Sequence, residues 1–364
     1  MKKLDWYILK KFLFTFFFCV LLFTIISVVV DVSEKTDDFV KSGLSTTAVL
    51  TQYYFGFVPY IDALLFPLFV FIAVIFFTSK MAGRSEIIAI LSSGTSYNRF
   101  LVPYWIGGIF LGLLLLAASN FLIPKANEIR TNFEAHYVNV NSTYDPLVTN
   151  YEKSLYFRVD SFTYAGVHNY DTSTKTGGPF FMHRIKNNQL VYNLRASLLR
   201  WDTSKNKWVL QNITERNING LKESLTTERE KFMNFNFKPF DLNRDEYAKD
   251  KLITSELNQY IALEELRGSE NINTLKIEEY RRFATPLAVV ILTMIGAVVA
   301  SRKVRGGSGA HLAIGFVTAA IFILMDRFST MFSAKGNLPP LIAASIPNVI
   351  FTFVAIYFYK KAPK

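Results

Sequence analysis

The chain has 364 residues, 51% of them hydrophobic and only 19% charged. Soluble domains carry nearer a quarter charged residues, so an ordinary globular domain is excluded. The formal charge of +11 would suggest nucleic acid in a soluble protein, but here Lys and Arg flank long apolar runs, and no nucleic-acid partner is expected.

Six apolar runs begin near Phe12, Phe57, Leu101, Ala284, Leu312 and Leu338. Each approaches the ~20 residues that cross a bilayer as a helix. The expected fold is therefore a polytopic α-helical membrane protein with six spans, three before and three after an inserted all-β domain. The division is 1–124 for the first three spans, 125–252 for the β domain, 253–283 for a helical linker and 284–364 for the last three spans.

The start, Met1 to Trp6, has the basic character of a signal peptide. No small-residue cleavage site follows the first apolar run. The acidic stretch from Asp31 to Asp38 follows instead, and the run reads as an uncleaved span. Cys19 lies inside it and is the only cysteine, so no disulfide can form within the chain. The second run contains Pro59, Asp62 and Pro67, and its prolines predict a kink.

Between the second and third runs lies Ala82 to Ser96. Ser85 suits an N-cap, Glu86 suits the positive end of a helix dipole, and Gly94 suits a C-terminal stop. The spacing predicts a two-turn helix that exposes Ile87, Ile88 and Leu91. Such a helix either docks in a groove of an ATPase or rests on the lipid surface.

From Leu155 onward short strands are predicted. Leu155 to Val159 is one, and Phe180 to Ile185 precedes the turn pair Asn187-Asn188 and then Leu190 to Tyr192. Leu198 to Trp201 and Lys207 to Leu210 flank a hairpin loop at Asp202 to Asn206. Strands at this spacing suggest a sandwich or jelly roll. Tyr156, Phe157, Phe181, Trp201 and Trp208 either fill its core or line a groove for acyl chains. The linker follows, with Ser255, Leu257, Tyr260, Ile261 and Leu263 at helical spacing and Thr274 as a cap for the next helix.

Charges at the span ends set the orientation. Lys2, Lys3, Lys10 and Lys11, then Lys80, Arg84 and Arg99, then Arg302, Lys303 and Arg305, and finally Lys360, Lys361 and Lys364 share one side. The other side carries Asp31, Glu34, Asp37 and Asp38 against Lys35 and Lys41, and Lys335 alone. Both termini are expected in the cytoplasm and the β domain outside. Asp326 and Arg327 lie in the outer half of the fifth span. Ionisable residues at that depth face a cavity or a partner, and a gate between helices one and five is the expected place for them. The plainer alternative pairs them with each other or with Lys35 and Glu34.

Catalytic and cofactor patterns are missing. There is no GxxxxGK[ST] loop, and His136, His168, His183 and His311 lack metal-ligand spacing. Gly306-Gly307-Ser308-Gly309-Ala310 departs from GxSxG at its last position and reads as a connector. No catalytic residue, metal or cofactor is expected, and the energy for any transport must come from another chain.

Several of these segments resemble the lipopolysaccharide-export permeases, the LptF/LptG (YjgP/YjgQ) family. The likeness lies in Arg84, Ser85, Glu86 and Gly94, and in the opening Leu4-Asp5-Trp6-Tyr7-Ile8. Arg282 to Ala288, Met325 to Phe328 and Leu338 to Leu341 resemble the LptG branch. The resemblance implies a heterodimer with a second, LptF-like permease on a cytoplasmic LptB-like ABC ATPase dimer, in the bacterial inner membrane. It implies extraction of lipopolysaccharide and its transfer to a periplasmic jellyroll bridge of LptC/LptA type. It also implies that Arg84, Ser85, Glu86, Ile87, Ile88, Leu91 and Gly94 couple to the ATPase. LptG members carry a lysine cluster past helix one that meets lipid phosphates; here only Lys35 and Lys41 stand there, and they either contact the headgroup or merely snorkel and balance the nearby carboxylates. Two other classes fit the layout, a mechanotransmitting ABC permease that moves no lipid and a membrane scaffold.

Overall fold

The structure is a computed structural model that describes residues 2–138, 155–171, 174–220, 222–235, 237–242, 247–268, 272–302 and 309–362. Lys303, Arg305, Lys364 and the connector at Gly306 to Ser308 lie outside the described residues. Six helices in the described residues are long and apolar enough to cross a membrane.

Helix α1 spans Lys3–Lys41, 39 residues. At ~1.5 Å per residue it is about twice as long as the ~30 Å hydrocarbon layer is thick. The acidic stretch after the first apolar run is therefore the continuation of the helix, not a loop. A short α2 (Thr46–Val49), capped by the Ser45 hydroxyl, passes through a π turn at Leu50–Tyr54 into α3 (Phe55–Gly83). Helix α4 is Glu86–Ser92. Helix α5 (Tyr97–Ala117) continues through a π turn into α6 (Ile123–Phe133) and a further π turn at Glu134–Val138. The third span thus runs on as a helix past residue 125, where the β domain was expected to begin. Gly56 explains how α3 meets α6 so closely: a Cβ there would lie 2.4 Å from the Ala126 carbonyl oxygen.

Seven strands follow: β1 (Leu155–Asp160), β2 (Thr163–Val167), β3 (Thr176–Gly177), β4 (Phe180–Lys186), β5 (Gln189–Asp202), β6 (Lys207–Asn219) and β7 (Lys222–Met233). They form one antiparallel sheet in the order β1-β2-β4-β5-β6-β7, with β3 paired to the far end of β5. Asn187 and Asn188 both take positive φ, as a two-residue hairpin requires. The Asp202 carboxylate accepts the Ser204 and Lys205 amides in the next hairpin loop. The predicted strands at 190–192 and 198–201 are one 14-residue strand. Strand β2 was not anticipated, because Ala165 and Gly166 weaken its strand signature.

One face of the sheet carries a core of Phe157, Phe180, Met182, Leu194, Trp208 and Leu210. Trp208 is fully buried, and its indole N–H donates to the Phe237 carbonyl at 2.9 Å. That bond draws the segment after β7 across the core. Phe157 and Trp208 are therefore core residues, whereas Tyr156 is exposed and stacks toward Phe181.

After a 3-10 turn at Pro239–Leu242 come α7 (Ala248–Lys251), α8 (Thr254–Arg267) and α9 (Ile272–Ala300), followed by α10 (Gly309–Lys335) and α11 (Pro340–Lys360). Helix α9 begins two residues before Thr274, so Thr274 lies within the helix. It is the hub of the bundle and packs on α3, α5, α10 and α11. Helix α1 packs on α3 and α5, whereas α10 packs on α3, α9 and α11. Within the most apolar stretch of α9, 61% of residues are buried, against 6% for α1 and 22% for α10.

Candidate functional site

The end of the bundle that holds both termini also holds α4. Gly94 takes φ +84 and its N–H bonds to the Leu91 carbonyl at 3.1 Å, so it ends the helix as expected. Ser85 departs from expectation: it has left-handed backbone angles and its side chain does not cap α4. Glu86 is held by other groups. The Tyr7 hydroxyl donates to Glu86 Oε2 at 3.3 Å, and Arg84 Nη1 stands 3.9 Å from Oε1. The expected exposed trio also divides. Ile87 is only 2% exposed and joins the core around Phe77, Met81 and Tyr97, and Leu91 packs partly against that core. Ile88 remains 53% exposed. A single apolar side chain, followed by Ala89 and Ser92, faces outward.

This end is tied by a pair that sequence reasoning missed. Asp5 is buried in the first turn of α1 and accepts from Arg99 Nη2 at 2.5 Å and from the Lys2 amide at 2.6 Å. The pair fixes the start of α1 to the start of α5. An acidic residue among four N-terminal lysines is the signal that could have found it.

At the opposite end Lys35 sits among acceptors. Its Nζ is 3.0 Å from Asp31 Oδ1 and 2.9 Å from Glu134 Oε1, and it bonds the Tyr53 hydroxyl. Tyr53 and Tyr54 donate to the two oxygens of Asp31 at 3.0 and 3.1 Å. Arg130 reaches Glu134 at 2.9 Å and lies over the Tyr60 ring. Two cations thus meet two carboxylates, and the cluster is neutral. Lys41, one and a half turns further on, is exposed and has no partner among the described residues. Asp62 sits half-buried and accepts the Thr24 hydroxyl at 2.6 Å, between α3 and α1.

Asp326 and Arg327 pair neither with each other nor with Lys35 and Glu34. Asp326 accepts from Arg281 Nη2 of α9 at 3.1 Å, and Arg281 also lies 3.5 Å from Glu278. Arg327 is exposed and has no partner among the described residues. Both border a cavity of about 120 Å³ between α3, α9, α10 and α11, whose walls include Leu68, Phe322 and Asn348. Next along α9, Arg282 is buried and donates to the carbonyls of Lys249 and Leu252 at 2.9 and 2.8 Å and to the Thr254 hydroxyl at 3.0 Å. Thr254 in turn bonds Asn120, and Asn127 bonds the Asp250 carbonyl at 3.2 Å. One arginine thereby holds the linker from the β domain onto the membrane bundle. The charged run Glu278 to Arg282 at the mouth of an apolar span is the sequence signal for this site.

Six apolar helices with an antiparallel β domain between the third and fourth define a polytopic membrane protein. Its buried polar groups form helix-to-helix clamps, and a short helix lies at one end. A family model for the lipopolysaccharide export system permeases LptF/LptG matches residues 6–361. The chain belongs to that family, and is a multi-pass inner-membrane permease. Two curated relatives are the lipopolysaccharide export system permease proteins LptG of Escherichia coli strain K12 and of E. coli O6:H1 strain CFT073. Each is 18% identical over 303 residues, covering 82% of this chain and 82% of the relative.

Proposed function

We propose that this chain is the LptG-like membrane subunit of an ABC-type exporter. It extracts lipopolysaccharide from the inner membrane and passes it to a periplasmic jellyroll bridge, with ATP hydrolysed on a separate LptB-like dimer. The termini and α4 face the cytoplasm, and the β domain faces the periplasm. The observation that carries the reading is α4. It is anchored through buried Ile87 and through Tyr7 to α1, and it presents Ile88 outward at the end of the bundle. A rigidly held helix with one exposed apolar side chain is suited to a groove on an ATPase. Arg84 and Glu86 flank that contact.

The lateral faces of α1 and α10 support a second, LptF-like permease as partner. Both are apolar and open, and they do not pack on each other in this chain. A gate between helix one and helix five therefore forms between two permeases. Asp326 positions α10 through Arg281, and Arg327 faces the gate. Lys41 is the free headgroup contact, and Lys35 contributes only when its two carboxylates release it.

Purification of the chain in mild detergent from its native membrane tests this reading. An ATPase, a related permease and lipopolysaccharide should accompany it. Recovery with an extracytoplasmic partner and no bound lipopolysaccharide would favour a mechanotransmitting permease. Recovery without any ATPase would leave only the scaffold.

A further inference from the structure

A groove of about 590 Å³ opens beside α4, between the first turns of α1 and the last turns of α3. That volume lies within the range of about 300–1,000 Å³ that holds ligands of small-molecule size. Its apolar wall includes Phe14 and Phe76, and its rim carries Lys10, Lys11, Lys80 and Arg84 against one carboxylate, Glu86. Among the described residues, the amines of Lys10 and Lys80 have no partner. Lys11 Nζ rests on the Tyr7 hydroxyl at 2.9 Å. The four cations stand where both helices change from apolar to charged sequence, the level of lipid headgroups.

We propose that this groove binds an anionic glycerophospholipid of the adjoining leaflet, with its phosphate among Lys10, Lys11, Lys80 and Arg84 and an acyl chain along Phe14 and Phe76. The charge balance selects the occupant. A zwitterionic lipid brings its own cation to a rim that already has an excess of them, whereas a phosphatidylglycerol headgroup adds only negative charge. Basic pockets between transmembrane helices recognise anionic headgroups by this chemistry. The apolar wall separates this site from one for a free phosphate, which has no use for two exposed phenylalanines. Tyr7 and Glu86 both lie at the rim and bond each other, so the groove borders the first residue of α4 directly. The proposal needs only that this end of the bundle meets a membrane surface. It does not depend on transport.

The test uses the purified full chain in nanodiscs of phosphatidylcholine with about one-fifth phosphatidylglycerol, a surface negative enough to attract basic segments. Lipids retained on extraction into detergent are counted by native mass spectrometry. Phosphatidylglycerol should be enriched over its share of the bilayer. Lys10→Gln/Lys80→Gln should weaken its retention on the order of thirtyfold, from about 1 kcal/mol for each lysine near anionic lipid. Lys3→Gln/Lys360→Gln, which removes the same charge outside the groove, should leave retention unchanged. Enrichment in the unaltered chain should also fall as salt is raised, a readout that no folding defect can mimic. Equal retention of the two lipids by the unaltered chain would overturn the proposal. So would a Lys10→Gln/Lys80→Gln chain that keeps its phosphatidylglycerol in full, since the lipid would then be held elsewhere.

Discussion

The hydroxyl of Tyr7 lies 3.3 Å from Oε2 of Glu86 and joins the second turn of α1 to the first turn of α4. The bond crosses from the helix with the most exposed span to the short helix proposed above to meet the ATPase. The other end of α1 carries Lys35 and Lys41.

Glu86→Ala should leave the chain in the membrane and lower lipid-dependent ATP turnover by about tenfold, equivalent to about 1.4 kcal/mol lost from the coupling path. Tyr7→Phe removes the bond between α1 and α4, worth about 1 kcal/mol, together with the exposed Lys11 contact within α1, and should cost roughly fivefold. Export at the unaltered rate in Glu86→Ala would remove α4 from the coupling path.

Lys35 and Lys41 should part company. Lys35→Gln leaves Asp31 and Glu134 with Arg130 as the one cation of the cluster in a largely enclosed site, and should destabilise the chain by about 2 kcal/mol, read as a lowered melting temperature. Lys41→Gln should not affect melting but should reduce lipopolysaccharide labelling by a photo-crosslinker at position 38. Equal melting losses in the two variants would contradict the neutral cluster at Lys35.

Arg282→Gln should free the linker. The Lys249 carbonyl of α7, the Leu252 carbonyl just past it and the Thr254 hydroxyl of α8 lose a buried guanidinium, at about 3 kcal/mol. Hydrogen exchange should quicken in α7 and α8 while the strands stay protected. Arg282→Lys should not rescue it, because one ammonium cannot follow the guanidinium fork. Unchanged exchange in α8 would show that the linker is held by other contacts.

In a Cys19→Ser background, cysteines at the outer ends of α1 and α10 should cross-link two permeases and not one chain. The bond should block export reversibly. An efficient cross-link within a single chain would contradict the gate between two permeases, since α1 packs on α3 and α5 whereas α10 packs on α3, α9 and α11.

The spans and the β insert were legible because each rests on a pattern that the environment imposes on many residues at once. Lipid demands about twenty apolar positions in a row, and the hairpin at Asn187-Asn188 demands residues that tolerate positive φ. Ion-pair partners were not legible. Asp326 meets Arg281 across 45 positions of sequence, and Asp5 meets Arg99 across 94. Only packing decides those pairs. Ser85 misled because its type suits a cap, while its left-handed backbone turns the hydroxyl away from the helix start. Ile87 misled because helical spacing gives a face, not the side on which the bundle lies.

Reconstitution measures the proposed function most directly. Liposomes holding lipopolysaccharide, this chain, its related permease and the ATPase should deliver the lipid to an added jellyroll acceptor only when ATP is hydrolysed. Glu86→Ala should reduce that delivery by about the same factor as ATP turnover. Delivery at the full rate without ATP, or ATP turnover with no lipid delivered, would contradict a permease that moves lipopolysaccharide under the drive of a separate ATPase.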